Sequence, residues 1–231
     1  TPDVKSGRRE NIEGGIYSMT IFNSLLLGAV QGLTEFLPIS SSGHLILLRE
    51  ILGINTQGGL AFDAILQLGT ILAVVVYFRQ TIIELIRDAC FMLVRKGERV
   101  KKENKRLIFA LIFGTIPAAA LGLFLEQAME TIFRSALLVA VALIAGSLLF
   151  IAAEKFAKQK LGTVSAKHGW WIGCFQVLAL IPGISRSGAT ISGGLLLGLN
   201  RVTAARFGFL LALPIITGSG LKKLIDVVRF G

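Results

Sequence analysis

The sequence predicts an all-α integral membrane protein with an inverted-topology repeat, two re-entrant helix–loop–helix hairpins and several transmembrane helices. Three observations predict this fold. Of the 231 residues, 53% are hydrophobic and 16% are charged, whereas soluble domains carry about 25% charged residues. Apolar runs of roughly 20 residues, the length that crosses a bilayer as a helix, recur along the chain. Two further apolar stretches match each other, and proline, serine and glycine interrupt both of them.

A polar extension over residues 1–18 comes first, and it has no apolar signal-peptide region. The rest forms a single membrane domain, whose first half covers 19–153 and whose second half covers 154–231. Within it, residues 80–96 have apolar side chains at helical spacing with charges between them, which predicts a helix along the inner membrane surface. Uninterrupted spans are predicted over 60–78, 106–125, 135–153 and 205–221, and interrupted apolar stretches over 20–37 and 168–199.

The net charge of +10 indicates membrane topology rather than nucleic-acid binding. Nine of the 24 Lys and Arg residues lie between positions 79 and 106, in a loop between two predicted spans. Short basic loops stay cytoplasmic and contact anionic lipid headgroups. Because no RNA- or DNA-binding motif accompanies the charge, we expect membrane lipids and no nucleic acid as partners. Cys90 and Cys174 lack CxxC spacing and indicate neither a disulfide nor a metal site.

The repeat consists of residues 28–53 and 173–198, which align without gaps and share the core Ile-Ser-x-Ser-Gly. Each copy has two apolar arms of about ten residues around a polar break, and neither arm is long enough to cross a bilayer. Irregular backbone at membrane depth must line a cavity or be buried in protein, so we expect two re-entrant hairpins. Three crossings separate them, which inverts the second hairpin and brings the two polar tips together.

The two halves differ in the number of spans after each hairpin. Three predicted spans come after the first hairpin, whereas one, over 205–221, comes after the second. By symmetry, two C-terminal helices are absent. We therefore expect either a fragment or a shortened form of the repeat.

The two polar tips carry the residue types of an anion site. Pro38 ends the first arm, and the serines after it can cap the next helix, whose N-terminal backbone N–H groups favour an anion. The second tip repeats this design and adds the fixed positive charge of Arg186. Two helix N-termini, an arginine and several hydroxyls indicate a phosphate site. The residues predicted to bind the substrate are Gln31, Ser40, Ser42, Ser185, Ser187 and Thr190.

Catalytic residues are expected among the ionisable groups at membrane depth, which are costly and usually functional. Glu35, His44 and Arg186 are such groups. Ser41 and His44 are three positions apart and share a helix face, and a hydroxyl beside an imidazole is the minimum for an activated nucleophile. Glu35 could orient His44, act as a base, or hold a divalent cation.

Structural roles are the alternative for each of these residues. The serines could be helix N-caps, His44 an interhelical hydrogen-bond donor, and Arg186 a buried ion-pair partner of Glu35. Gln31 and Gln176 could form helix–helix hydrogen bonds, which is the favoured interpretation for Gln176. The functional hypothesis gains weight because the unusual residues all lie on the two repeated breaks.

At these residues the sequence resembles the undecaprenyl-diphosphate phosphatase family, also called bacitracin-resistance proteins. The resemblance rests on segments 31–44, 66–74 and 182–190, in the family's order, and extends over about residues 19–221. Members remove the terminal phosphate from undecaprenyl diphosphate, which recycles the lipid carrier for cell-wall synthesis and confers bacitracin resistance. The resemblance implies a multi-pass enzyme of the bacterial plasma (inner) membrane, with an active site reached from the extracytoplasmic side.

The resemblance also implies roles for particular residues. The family's serine, histidine and arginine fall on Ser41, His44 and Arg186, and its motif of Glu or Gln, three residues and Glu falls on Gln31 and Glu35. Members need a divalent cation, commonly Mg²⁺ or Ca²⁺, for which Glu35 is the candidate ligand. Gln31 leaves one carboxylate where many members have two. Ser41 attacking with His44 as base, and His44 attacking through a phosphohistidine, both stay open.

A transporter or flippase of a phosphorylated lipid is the alternative function, because inverted re-entrant repeats are typical of alternating access. Transport of a phosphate lipid needs Arg186 but no nucleophile, so Ser41 beside His44 favours the phosphatase. The sequence decides neither the prenyl chain length nor the oligomeric state, and a homodimer is one option.

Overall fold

The computed structural model of the protein describes residues 20–54, 59–94, 100–125 and 135–230. In these ranges the chain is helical apart from the connecting turns, and it contains no β-strand. The predicted extension over 1–18 lies outside the described residues. The helices are α1 (Ile21–Thr34), α2 (Ser41–Leu52), α3 (Gly59–Tyr77), α4 (Arg79–Leu93), α5 (Lys102–Phe124), α6 (Ala136–Phe156), α7 (Ala166–Val177), α8 (Arg186–Leu196) and α9 (Arg201–Phe230).

The long helices have the length and composition of membrane spans. Three of the described segments can each cross a bilayer alone, namely α5, α6 from Leu137, and α9 over Arg201–Lys222. Helices α3 and α4 reach this apolarity together as one pair, bent by 82° between Tyr77 and Arg79. Helices α3, α5, α6 and α9 correspond to the predicted spans. They confirm an all-helical chain that fits a multi-pass membrane protein.

Helix α4 is the segment predicted to lie along the membrane surface. Its apolar residues Ile83 and Leu93 are 64% and 84% exposed, while its acidic Asp88 is buried and accepts a hydrogen bond from Asn104 Nδ2 at 2.7 Å. The sharp bend before Arg79 and this amphipathic character agree with a surface helix. Its placement on the inner membrane face stays a prediction, and residues 95–99 lie outside the described residues.

The first predicted break in an apolar stretch is present between α1 and α2. Proline at position 38 lacks the N–H that a continuing helix needs, and the chain turns there. Ser40 then adopts a positive φ of 67° and caps α2, because its Oγ accepts a hydrogen bond from the Gly43 N–H at 3.3 Å. The turn therefore carries Glu35 at the end of α1 back toward the beginning of α2.

The second predicted break lies between α7 and α8 and has the same design. A 3₁₀ turn over Leu178–Leu180 extends α7, and Gly183 then adopts a φ of 105°, which favours glycine. Ser185 caps α8 by accepting a hydrogen bond from the Gly188 N–H at 3.1 Å. Both copies of the Ser-x-Ser-Gly motif therefore begin a helix through the same serine-to-glycine hydrogen bond.

Glycines fix α7 against α5, the most extensively packed helix pair in the described residues. A Cβ on Gly169 would overlap the backbone of Ala110, and one on Gly173 would overlap the backbone of Gly114. Small residues let membrane helices approach this closely. Because α7 leads directly into the second break, this contact sets the position of that tip.

Candidate active site

The two helix breaks are in contact with each other. Arg186 Nη2, in the second break, donates a hydrogen bond to Glu35 Oε1 in the first at 2.5 Å. Ser187 Oγ donates to the carbonyl of Leu37 at 3.0 Å. The structure thus brings together the two polar tips that the repeat predicts to meet.

The Glu35 carboxylate is the centre of the contact. Its Oε1 accepts from Arg186, and its Oε2 accepts from Ser41 Oγ at 2.5 Å and from Gln31 Nε2 at 2.9 Å. The Glu35 side chain is 9% exposed. A buried carboxylate requires such partners, because an unpaired charge away from water is strongly destabilising. Hydroxyl, amide and guanidinium groups therefore converge on one carboxylate.

Arg186 keeps part of its guanidinium group available. Its Nη1 is buried and has no hydrogen-bond partner within the part of the chain that the structure describes. A buried donor without a partner costs about 1–3 kcal/mol. Since the guanidinium geometry matches phosphate oxygens, Nη1 is suited to donate to a bound phosphate while Nη2 contacts Glu35.

Both helix N-termini open into one cavity of about 580 Å³. Its wall includes residues of α2, α3, α5, α7, α8 and α9, and it is polar where the two tips meet. The N–H groups at a helix N-terminus favour an anion, and here two such termini face the same space. The polar lining residues at the tips are Glu35, Ser40, Ser41, Ser42, Ser185, Arg186 and Ser187.

His44 lies outside this arrangement. Its Nδ1 is 2.7 Å from the carbonyl oxygen of Ser40, one turn back in the chain. The described residues contain no hydrogen bond between Ser41 and His44, because the Ser41 hydroxyl donates to Glu35 instead. The imidazole is not among the residues that line the cavity. The catalytic role of His44 stays a prediction, without a contact to Ser41.

Thr190 is also separated from the cavity. Its side chain is fully buried, and its Oγ1 lies 2.9 Å from the carbonyl oxygen of Arg186 and 3.2 Å from that of Ser187. These contacts hold the first turn of α8 and the backbone of Arg186. A direct contact between Thr190 and substrate stays a prediction.

Comparisons with known proteins identify the family of this chain. The family model described as bacitracin resistance protein BacA matches residues 24–230. The chain belongs to this family. Undecaprenyl-diphosphatase of Geobacter sulfurreducens is 47% identical over 216 residues, which cover 92% of this chain and 79% of the relative. Undecaprenyl-diphosphatase of Methanosphaera stadtmanae is 43% identical over 219 residues, covering 90% and 79%, and that of Hahella chejuensis is 46% identical over 214 residues, covering 92% and 79%.

The BacA family match includes both helix breaks and every residue predicted for the site. It confirms the resemblance that the sequence motifs indicated. The named relatives are 43% to 47% identical to this chain over about nine-tenths of its length. The family assignment therefore rests on sequence identity as well as on the fold.

One ion pair at the cavity of this BacA family member was missed by sequence reasoning. Arg49 is 2% exposed and binds Asp63 through two hydrogen bonds, Nη1 to Oδ2 at 2.9 Å and Nη2 to Oδ1 at 2.5 Å. Asp63 lines the cavity. In the sequence, Arg49 could have been recognised as a charged residue within the apolar run of α2, where ionisable groups are unusual. The pair ties α2 to α3 beside the first tip.

The oxygens beside Glu35 bear on the predicted divalent cation. Among the described residues no three His, Cys, Asp or Glu side chains form a cluster, so these residues offer no cage built from such ligands. Gln31 Oε1 is buried and has no hydrogen-bond partner among the described residues, on the amide whose Nε2 contacts Glu35. Mg²⁺ is commonly held by one or two carboxylates together with substrate phosphates. Glu35, which lines the cavity, fits such a cation, whereas Gln31 turns its Nε2 toward Glu35 and does not line the cavity.

Proposed function

We propose that this protein removes the terminal phosphate from undecaprenyl diphosphate and releases undecaprenyl phosphate and inorganic phosphate. The observation that carries the proposal is the contact of Ser41 Oγ with Glu35 Oε2, beside an arginine with an unpaired buried donor. This arrangement supplies a hydroxyl nucleophile, a base and a phosphate-binding cation in one cavity. The relatives' name, undecaprenyl-diphosphatase, specifies the substrate.

The diphosphate would be held by the two tips together. Arg186 Nη1 donates to a phosphate oxygen, and the backbone N–H groups at the beginnings of α2 and α8 face the negative charge. The hydroxyls of Ser42 and Ser187 lie near Ser40 and Ser185, at 3.4 Å and 3.0 Å, and can turn toward a ligand. Phosphoryl transfer depends mainly on such positioning and charge stabilisation.

In the reaction, Ser41 Oγ attacks the terminal phosphorus while its proton passes to Glu35. The bond between that phosphorus and the bridging oxygen breaks, and undecaprenyl phosphate leaves with the electron pair. Water then attacks the phosphorus of the phosphoserine, the bond between phosphorus and Ser41 Oγ breaks, and inorganic phosphate leaves. Ser41 Oγ takes up the proton held by Glu35, and the proton lost by the water passes to solvent. The hydrogen bond between Ser41 and Glu35 favours this route over attack by His44, whose contact is with the Ser40 carbonyl.

A divalent cation, Mg²⁺ or Ca²⁺, is part of the proposal. Glu35 would hold it together with phosphate oxygens. When bound, the cation neutralises phosphate charge that develops during transfer. The residues that orient the substrate, Arg186 and the serines of the two tips, act in the same way whichever ion is present.

The prenyl chain would leave the cavity through an adjoining apolar groove of about 520 Å³. Residues of α4, α5 and α9 line this groove, and it shares Thr115, Ala119 and Pro214 with the cavity. A polar head between the tips and a chain between apolar helices match the two parts of a prenyl diphosphate.

In the membrane, the two helix breaks would form re-entrant hairpins of opposite orientation, with their tips at membrane depth. The basic loop between α4 and α5 would lie on the cytoplasmic side. The cavity would be reached from the extracytoplasmic face of a bacterial plasma membrane, in a monomer or a homodimer. Lipid recycling at that face fits the proposed substrate.

The deciding experiment measures phosphate release from undecaprenyl diphosphate by the protein in detergent, with Mg²⁺, with Ca²⁺ and with EDTA. We expect release that depends on the cation and that Glu35→Gln reduces strongly. Folded wild-type protein that binds the lipid diphosphate but releases no phosphate with either ion would contradict the proposal. That result would favour a lipid carrier, since transport needs Arg186 but no nucleophile.

A further inference from the structure

Gln176 lies at the wall of the cavity, and its amide group is buried there. Its side chain is 2% exposed, and it lines the cavity together with Ser185 and Arg186. Neither Nε2 nor Oε1 has a hydrogen-bond partner among the described residues. The helix–helix hydrogen bond that the sequence favoured for Gln176 is therefore absent there.

The internal repeat explains why this amide has no hydrogen-bond partner among the described residues. Gln176 aligns with Gln31 in the first copy, whose Nε2 donates to Glu35 one turn further along the helix. The position one turn after Gln176 is Leu180, which has no acceptor. The second copy therefore has the amide without a carboxylate one turn later, although buried amides normally keep a hydrogen bond.

We propose that Gln176 binds the diphosphate directly, with its Nε2 donating to a non-bridging phosphate oxygen. This inference rests on the proposed function and adds a residue to that site. A glutamine amide offers two N–H donors and no charge. Gln176 can therefore bind a phosphate oxygen while Arg186 keeps its contact with Glu35. The first copy of the repeat would thus supply the base and the second copy two phosphate donors, Arg186 and Gln176.

The test compares Gln176→Leu and Gln176→Glu with wild type. Leucine removes the donors at similar size, and glutamate keeps the shape while replacing the donors with a carboxylate. The probes are undecaprenyl diphosphate, for kcat and KM, and methylenediphosphonate, a diphosphate that cannot be hydrolysed, for direct binding by calorimetry. We expect Gln176→Leu to weaken methylenediphosphonate binding and to lower kcat/KM by about 10- to 100-fold. Gln176→Glu should weaken both further.

Ser192→Ala is the matched control. Ser192 is fully buried on α8, its Oγ has no partner among the described residues, and it does not line the cavity. We expect this variant to bind methylenediphosphonate and to turn over substrate as wild type does. Comparison with this variant distinguishes the effect of losing a ligand contact from the effect of removing any buried polar group.

Stability separates the ligand role from a structural one. A leucine at position 176 removes an unpaired buried amide, so the Tm without ligand should stay the same or rise, while the Tm increase caused by methylenediphosphonate should shrink. Wild-type affinity for methylenediphosphonate in Gln176→Leu would overturn the proposal and leave a buried amide without a ligand role. So would a loss of affinity that merely accompanies a lower Tm. A wild-type protein that binds the probe without hydrolysing the lipid would contradict the phosphatase and still test Gln176.

Discussion

Arg186 Nη2 lies 2.5 Å from Glu35 Oε1, although 151 positions separate the two residues in the sequence. The ion pair joins the end of α1 to the beginning of α8, so each tip supplies the partner for the other's buried charge. The pair is largely withdrawn from water, at 14% and 9% side-chain exposure. Its second guanidinium nitrogen remains unpaired in the described structure. One residue thus links the tips and keeps a donor for phosphate.

Substitutions of Arg186 should distinguish its ion pair with Glu35 from its contact with phosphate. In Arg186→Lys the charge stays, but the planar pair of donors is lost, so we expect a folded protein with kcat/KM lower by about 10- to 1,000-fold. In Arg186→Ala the Glu35 carboxylate is buried without its partner, which should lower stability by about 3–5 kcal/mol. Kinetics with undecaprenyl diphosphate and thermal unfolding in detergent measure both effects. Wild-type kcat/KM in Arg186→Lys would contradict a phosphate contact.

Ser41→Ala should abolish turnover while leaving the fold intact. Loss of a nucleophile costs about 10⁴- to 10⁶-fold in kcat, whereas the Glu35–Arg186 pair does not need the serine hydroxyl. Ser147→Ala is the control, because Ser147 is an exposed serine of α6 whose Oγ contacts the Leu143 carbonyl of its own helix. Phosphate release per folded protein is the measurement. A Ser41→Ala protein with more than a hundredth of wild-type kcat would count against covalent attack by Ser41.

The covalent intermediate distinguishes Ser41 from His44. Rapid acid quenching with substrate labelled at the terminal phosphate should give labelled protein, since a phosphoserine survives acid whereas a phosphohistidine loses its phosphate. We expect acid-stable label in wild type and none in Ser41→Ala. Label that survives base but disappears in acid, and that persists in Ser41→Ala, would assign the attack to His44.

The two breaks could be predicted from sequence because their causes are local. Proline, capping serines and glycine interrupt both apolar stretches, and the same serine-to-glycine cap begins both helices. The contact of the two tips is a consequence of the repeat. Even the Glu35–Arg186 pair is among the structural alternatives that the sequence leaves open for Arg186.

The partner of Ser41 could not be predicted in the same way. Spacing of three positions places His44 on the same helix face, but it does not fix where the imidazole turns. The positive φ of Ser40 brings Glu35 close to Ser41, while the His44 ring contacts the Ser40 carbonyl. The backbone conformation at Ser40 determines that Ser41 contacts Glu35, and residue spacing alone does not specify that conformation.

A matched pair of glycines tests the packing that positions the second tip. Gly28 and Gly173 align in the repeat, yet a Cβ on Gly173 would overlap the Gly114 backbone, whereas one on Gly28 would meet only Leu66 Cδ2 at 3.7 Å. Gly173→Ala should lower stability by about 1–3 kcal/mol through overpacking. Gly28→Ala should be neutral or stabilise by up to about 1 kcal/mol, because alanine favours the helix. Thermal unfolding in detergent measures both, and equal effects would contradict the tight α5–α7 contact.

The ion pair of buried Arg49 and half-buried Asp63 should contribute to the first tip's position rather than to the chemistry. Arg49→Leu leaves the Asp63 carboxylate beside the cavity without its partner, and we expect a loss of about 3–5 kcal/mol in stability. The double variant Arg49→Leu/Asp63→Leu should recover most of this loss, because replacing both partners with apolar residues is often neutral. A double-mutant cycle by thermal unfolding in detergent gives the coupling. If the double variant were no more stable than Arg49→Leu, the cost would come from lost packing of the long Arg49 side chain, and the ion pair would not be what ties α2 to α3.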